Sequence, residues 1–390
     1  MTEQKEKTVR LGIIGVGGMG SAHARALLDG KVPGAEVTEL CDIDPERLET
    51  FKEVKHWSDA DAMIAEGGVE AVLIATPHYD HVTYGVKALQ AGLHVLVEKP
   101  IAVHKADAER LIAAHTNPDQ VFSAMFNQRT DPCYQWVREK IQDGTLGRIN
   151  RVNWIITDWF RTESYYRNGG WRATWAGEGG GVLLNQCPHQ LDLWQWLFGM
   201  PAKVHAFTQI GRFHDIEVED DVTAHLQYED GMRGVFITTT GEAPGTNRLE
   251  IAAENGRVVI EGSDVKFDRN AVPTSEHSAI CPAAFTQPKI QRRETISFTD
   301  KGEQHVGIMK NFINTILGKE ALLAPAPDGI HSVELGNAML YSGLTEQPVE
   351  MPLDAAAYET KLKELIASST FVKQEAIKYV PTAEEMKKSF

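Results

Sequence analysis

"GIIGVGGMGSAHARAL", residues 12–27, places four glycines within six positions directly behind an apolar run. "VRLGIIG" has the near-continuous apolar character of a strand buried on both faces, and "GMGSAHARALLDG" reads as a helix that begins on small residues. Gly15, Gly17 and Gly20 fit G-x-G-x-x-G. In that pattern the first glycine permits a tight turn, the second lets backbone approach a pyrophosphate, and the third lets helix pack close on strand. The amides that open the helix, at Gly18 and Met19, then face the anion. A second strand, "AEVTELCD", follows and ends at Asp42, 22 residues past Gly20, where a carboxylate accepts the adenosine ribose hydroxyls and repels a 2′-phosphate. That spacing predicts NAD as cofactor ahead of NADP. The competing role, capping a helix in "DIDPERL", suits Asp44 better because Pro45 follows it.

The alternation continues through strand "EAVLIAT", helix "DHVTYGVKALQAG", strand "HVLVE", helix "KADAERLIAAH" and strand "QVFSAM". Strands alternating with helices predict a doubly wound parallel sheet, here ending near Asn127. Ligands of such sheets lie at the carboxyl ends of strands, so "ATPHYDH" (75–81) and "VEKP" (97–100) face the expected crevice. Thr76, Pro77, His81, Glu98, Lys99 and Asn127 are the further cofactor candidates. Lys99 has two readings: an ammonium that binds a substrate hydroxyl and stabilises the developing alkoxide, or a surface pair with Glu98. His78 and His81, spaced i, i+3 with no third ligand, do not suggest a metal.

Composition narrows the partners. With 390 residues, 42% hydrophobic and 24% charged, the chain suits a soluble protein with two cores. A formal charge of −15 argues against nucleic acid or an anionic membrane as partner and favours a small molecule. Cys41, Cys133, Cys187 and Cys281 form no CxxC pair, which points to neither zinc nor disulfides and suits a reducing cytoplasm. The start, "KEKTVR" before "LGIIGVGGMG" and "AHA", imitates an export signal, but its glycines weaken the helix such a signal forms and Glu3 and Glu6 dilute the basic end. No apolar run reaches membrane-spanning length. The last stretch, about 371–390, reads as a polar arm.

Beyond residue 145 the texture changes to alternating runs: "RINRVNWIITDWF", "AKVHAFTQIG", "DVTAHLQY", "RGVFITTT", "RLEIAAE" and "RVVIEG". These predict a mostly antiparallel sheet with one face to be covered, by a partner subunit or by the helices "QHVGIMKNFINTILG" and "DGIHSVELGNAMLYSG". Among them lies "GEGGGVLLNQCPHQLDLWQWLFG" (177–199), where Asn185, His189 and Asp192 at i, i+4 and i+7 share one helical face, provided Pro188 kinks the helix rather than restarting it. His189 flanked by two polar groups is placed to act as a base. Ahead of it, Trp154, Trp159, Trp171 and Trp175 gather with Tyr165, Tyr166, Arg161, Arg167 and Arg172. Aromatic faces and guanidinium groups suit a sugar and its hydroxyls or carboxylate, and serve equally for core and interface packing. Trp159, Arg161 and Arg172 are the substrate candidates, with Asn185 and Lys99.

These motifs, in this order and spacing, resemble the glucose-fructose oxidoreductase, inositol dehydrogenase and MocA family of NAD(P)-dependent sugar and polyol dehydrogenases. The resemblance runs from "GIIGVGGMGSAH" through "ATPHYDHVTYGVKALQAGLHVLVEKP" to "GEGGGVLLNQCPHQLDLWQWLFG". It implies an N-terminal Rossmann domain, residues 1–127, and a C-terminal α/β domain, 128–390, whose large open sheet joins homodimers or homotetramers. It also implies that Lys99 contacts substrate and cofactor, that His189 is the base, and that Asp192 is an acidic residue of the site. The family's aspartate position holds Asn185, which binds a hydroxyl but takes no proton, so His189 and Lys99 would carry more of the proton transfer. The expected reaction is oxidation of a secondary hydroxyl of a sugar, glycoside or cyclic polyol. Two rivals are an NAD-cycling glycosidase relative and a non-enzymatic sensor of the same fold.

Overall fold

The computed structural model describes residues 7–374. The first six residues of the signal-like start and the arm from 375 onward lie outside the described residues. The six strands β1 (Val9–Ile14), β2 (Ala35–Cys41), β3 (Lys55–Trp57), β4 (Ala71–Ile74), β5 (His94–Val97) and β6 (Phe122–Ala124) pair in parallel, in the order β3-β2-β1-β4-β5-β6. Every residue of β4 is buried and β1 exposes only Arg10, as expected where helices cover both faces. The direction of winding reverses between β1 and β4, which opens a crevice at the carboxyl ends of those strands. β3 escapes a reading of the sequence because three residues carry no period.

The second sheet has nine strands: β7 (Ile149–Ile156), β8 (Lys203–Ile210), β9 (Glu219–Gln227), β10 (Arg233–Thr239), β11 (Asn247–Ala253), β12 (Gly256–Glu261), β13 (Asp264–Asn270), β14 (Ile290–Ser297) and β15 (Val349–Glu350). Their order is β14-β13-β12-β11-β7-β10-β9-β8-β15, antiparallel except where β7 meets β10. All six strands expected here are present. β14 joins through its backbone ladder to β13 with a mostly exposed, charged sequence that offers no apolar alternation.

Each sheet has its own core. Around the second, Trp154 and Trp194 are fully buried and stack with centroids 6.5 Å apart. Trp159, Trp175 and Tyr166 are also core residues there, so packing accounts for four of the six aromatics in the expected cluster. The helix Gly329–Thr345 lies on β8 and on the helix Pro188–Phe198, covering one face of the sheet. The other late helix, Gln304–Ile316, does not. It inserts Ile308, Met309, Phe312 and Ile313 into the core of the first sheet, so chain from beyond residue 300 completes the lobe built by residues before 127. On the uncovered side, Phe207 stays 61% exposed. No helix among the described residues is long and apolar enough to cross a membrane.

Candidate active site

The glycine loop leaves β1 and enters the helix Gly18–Leu28. Gly15 has φ +90°, and a side-chain carbon there would sit 2.7 Å from the Ala75 carbonyl oxygen. At Gly20 it would sit 1.8 Å from the Gly15 carbonyl oxygen, so only hydrogen fits. At Gly18, by contrast, it would meet nothing within 4 Å, which leaves an open cradle over the helix start. The Ser21 amide is taken by the Gly17 carbonyl at 2.9 Å, while the amides of Gly18, Met19 and Gly20, in the first turn, have no intrahelical acceptor. Asp42, at the end of β2, ties the loop down: its carboxylate accepts from the Val16 amide at 2.7 Å and the Asp44 amide at 2.9 Å, with Arg47 3.5 Å away. Asp44 accepts from the Glu46 amide ahead of Pro45, as a cap should.

The stretches after β4 and β5 fill the far side of the crevice. Thr76 holds a buried hydroxyl that has no partner. Pro77 precedes the helix His78–Gln90. His81 is spent inside the protein, its Nδ1 2.7 Å from the Pro100 carbonyl and its Nε2 2.8 Å from the Thr76 carbonyl, so it braces the two loops instead of offering a nitrogen to a cofactor. His78 instead lies edge-on to Trp171, with centroids 5.2 Å apart. Asn127 donates to Gln304 at 2.7 Å and keeps a buried carbonyl oxygen unpartnered.

Glu98 does not pair with the Lys99 ammonium at the surface. Its carboxylate, buried, receives His23 at 2.7 Å and the Lys99 amide at 3.1 Å. Burial alone would raise the Glu98 carboxyl, but the hydrogen bond and charge of His23 hold it down at about 2. The Lys99 side chain turns inward and donates from Nζ to the Asn185 carbonyl at 2.9 Å. Burial lowers its pKa below 10.5, and the nearby guanidinium groups of Arg172 and Arg161 act in the same direction against Glu98 and Glu178.

The helix expected within residues 177–199 restarts at Pro188: Val182–Asn185 is one short turn and Pro188–Phe198 a separate helix. The break is the proline's missing amide, and it swings the three expected polar groups apart. His189 is 3% exposed, with neither ring nitrogen bonded. Burial, reinforced by the Lys99 charge, depresses its pKa well below 6.5, so it is a neutral imidazole. Asn185 donates its amide to Glu178, while its side-chain oxygen accepts from Tyr165 at 3.2 Å and Gln186 at 3.3 Å. Asp192 faces away from this group. Its two oxygens accept from Arg129 Nε at 2.8 Å and Nη2 at 2.6 Å in an interior pair, both side chains 1% exposed. The expectation that Asp192 is an acidic residue of the site is corrected: its carboxylate is consumed in anchoring the helix.

Trp159 is buried, yet its indole nitrogen has no partner. Arg161 lies over Trp159 and Tyr165, and Arg172 over Tyr165 and Trp171. Sequence reasoning missed Glu178, His23, Arg129 and Gln186. Glu178 stands in the glycine run "GEGGG" as its one acidic residue, which was a usable signal; Arg129 in "NQRTDP" carried none.

A dinucleotide fits this crevice on two independent observations. The open cradle at Gly18 suits a pyrophosphate, and the buried polar atoms of Thr76, Asn127 and His189 have no partner within the protein. Among the described residues no group of three or more His, Cys, Asp or Glu side chains is arranged to hold a metal. A glycine cradle on a doubly wound sheet, facing a second lobe that brings a histidine to a lysine, is the arrangement of the two-lobed, NAD-binding oxidoreductases.

Comparison with known proteins narrows that class. Residues 9–126 match the family described as "Oxidoreductase family, NAD-binding Rossmann fold", and residues 134–259 match the "GFO/IDH/MocA C-terminal domain". The chain belongs to the GFO/IDH/MocA family of oxidoreductases. It is 24% identical over 262 residues to the myo-inositol 2-dehydrogenase of Thermotoga maritima, covering 64% of this chain and 74% of that one. With the inositol 2-dehydrogenase of Acidothermus cellulolyticus it shares 27% identity over 203 residues, 50% of this chain and 54% of that protein, so the chain spans about half the length of that relative. Among solved structures, the WlbA dehydrogenase of Bordetella pertussis in complex with NADH and UDP-GlcNAcA superposes with a TM-score of 0.74 at 27% identity, over 89% of this chain and all of that one.

Proposed function

We propose that this protein is an NAD-dependent dehydrogenase that oxidises a secondary hydroxyl of a sugar, glycoside or cyclic polyol. The observation that carries the reading is His189: a buried, neutral imidazole with both nitrogens unpartnered, next to Lys99 in the crevice that the glycine cradle opens into. A buried polar group without a partner costs stability, and a reacting hydroxyl would satisfy it. NAD, when bound, supplies the hydride acceptor. His189 takes the hydroxyl proton as general base, while the Lys99 ammonium, held by the Asn185 carbonyl, donates to the same oxygen and stabilises negative charge as it develops. Asn185, fixed by Glu178, orients the sugar. Gly17, Gly18, Met19 and Gly20 hold the pyrophosphate and Asp42 the adenosine ribose, which favours NAD over NADP. The inositol dehydrogenase relatives and the NADH-bound neighbour support the reaction class.

We further infer that copies associate through the second sheet, supported by the exposure of Phe207 and Ile210 on β8. Four free cysteines suit a reducing cytoplasm. The test is to follow reduced-cofactor absorbance with NAD and a panel of hexoses, glycosides and inositols. Lys99→Ala and His189→Ala should each lower kcat by about 10²-fold or more with smaller changes in KM. Near-normal turnover in both variants refutes the roles assigned. Turnover of a glycoside without net NADH would favour a cofactor-cycling hydrolase, and silence together with NAD binding would favour a sensor.

A further inference from the structure

We propose that the sugar bears a carboxylate near the reacting carbon, so that the substrate is a uronic acid or similar sugar acid, free or within a nucleotide sugar, recognised by Arg172 and Arg161. This rests on the dehydrogenase reading and deepens it. The chain as a whole carries a formal charge of −15, yet its crevice concentrates Lys99, Arg161 and Arg172. Glu178 is the carboxylate paired with Arg172, and its oxygens already accept from Asn185 and from the Ala173 amide at 2.6 Å, while the Asp158 charge acts on Arg161 without a hydrogen bond. Arg172 approaches Glu178 no nearer than 3.9 Å, outside hydrogen-bond reach, and spends one N–H on the Tyr165 hydroxyl at 2.9 Å. Arg161 reaches the carbonyl of Phe160 at 3.0 Å, keeps a buried Nε without a partner, and among the described residues has no carboxylate within 4 Å. Both guanidinium groups lie on the Tyr165 ring, 5.1 and 4.8 Å from its centroid, which fixes two forks beside each other.

The donors these half-buried guanidinium groups leave unused, the buried Arg161 Nε above all, match a carboxylate in both geometry and charge. A neutral sugar would offer those donors no charged acceptor. The position of the anion follows from a short relay: Arg172 to the Tyr165 hydroxyl at 2.9 Å, that hydroxyl to Asn185 at 3.2 Å, and the Asn185 carbonyl to Lys99 at 2.9 Å. Arg172 is thereby connected, through Tyr165 and Asn185, to the ammonium at the reaction centre. A distal diphosphate would be held elsewhere.

The test compares matched pairs with NAD: D-glucose and D-glucuronate, D-galactose and D-galacturonate, UDP-N-acetylglucosamine and its 6-carboxylate, with glucose 6-phosphate as the other anion. kcat/KM for an acid should exceed that of its neutral partner by at least about tenfold. Arg172→Gln and Arg161→Gln should raise KM for the acid and bring the ratio toward one. A neutral sugar equal to or better than its acid overturns the proposal and leaves the dehydrogenase reading standing. So does preference for the phosphate, or an unchanged ratio in both variants. Saturable quenching of tryptophan fluorescence by an acid in the wild type but not in Arg172→Gln, with no NADH from any sugar, would uphold the anion site and overturn the reaction. Neither turnover nor quenching overturns the proposal.

Discussion

Replacing Asp192 separates anchoring from chemistry. Arg129 and Asp192 are each 1% exposed and share two charge-assisted hydrogen bonds, 2.8 and 2.6 Å long. The third guanidinium nitrogen, Nη1, goes to Asp328 at 2.9 Å and the Leu323 carbonyl at 3.1 Å, and Asp328 is 41% exposed. In Asp192→Ala the guanidinium keeps the solvent-screened Asp328 and the Leu323 carbonyl on Nη1, while its Nε and Nη2 donors are left in the interior. Breaking a buried pair on one side costs about 3–5 kcal/mol, and the surviving Asp328 contact argues for the lower end, about 3 kcal/mol. The helix Pro188–Phe198 carries His189 on its first turn, so the loss loosens that imidazole as well as the core. Asp192→Asn keeps the shape and one acceptor and should fall between. Urea unfolding of both variants measures the effect: the midpoint should drop in the order wild type, Asn, Ala. Residual activity at low temperature, where the fold is intact, should retain the wild-type KM for substrate. An Asp192→Asn protein with wild-type stability and a kcat lowered by orders of magnitude would refute the reasoning and return Asp192 to the reacting group.

Three further outcomes follow from the site. Because burial and the Lys99 charge hold His189 well below 6.5, kcat/KM should stay level as pH falls through 6.5 and decline only at lower pH; an acid limb centred at 6.5 or above contradicts this. The same sign governs stability: the unfolded chain binds that proton more readily, so this residue's contribution weakens the fold as pH drops below 6.5. Gly20→Ala drives a carbon to 1.8 Å from the Gly15 carbonyl and should lower the Tm and abolish saturable NADH fluorescence, whereas Gly18→Ala meets nothing within 4 Å and should keep its Tm. Asp42→Asn removes the charge that repels a 2′-phosphate and weakens the hold on Arg47, 3.5 Å away, so the ratio of kcat/KM with NADP to that with NAD should rise by about tenfold or more; an unchanged ratio refutes the selectivity given to Asp42.

Much of the first lobe was legible because its signals are local. Five of its six strands lie in stretches that alternate with helical ones along the sequence, and the glycine spacing that marks the cradle lies within six positions. β3, too short to carry a pattern, was not legible, and neither was the helix Gln304–Ile316 as part of this lobe, since nothing in its own periodicity says which core its apolar face will join. Lys99 and His189 were legible from their positions at a strand end and on a helix. The roles of the groups beside them were not.

The sequence by itself determined the parallel sheet, the phosphate cradle and the residue types available for proton transfer, because periodicity and glycine placement act over a few residues. Only the tertiary structure decided which carboxylates are free. Glu98 is committed to His23 and Asp192 to Arg129, each a pair far apart in the chain, and Glu178 in the glycine run is committed to Asn185 on the turn that follows it. It also decided that His189 stays unpartnered. A side chain's availability depends on what the fold brings within about 3 Å of it, and that distance is set by packing between lobes rather than by spacing along the chain.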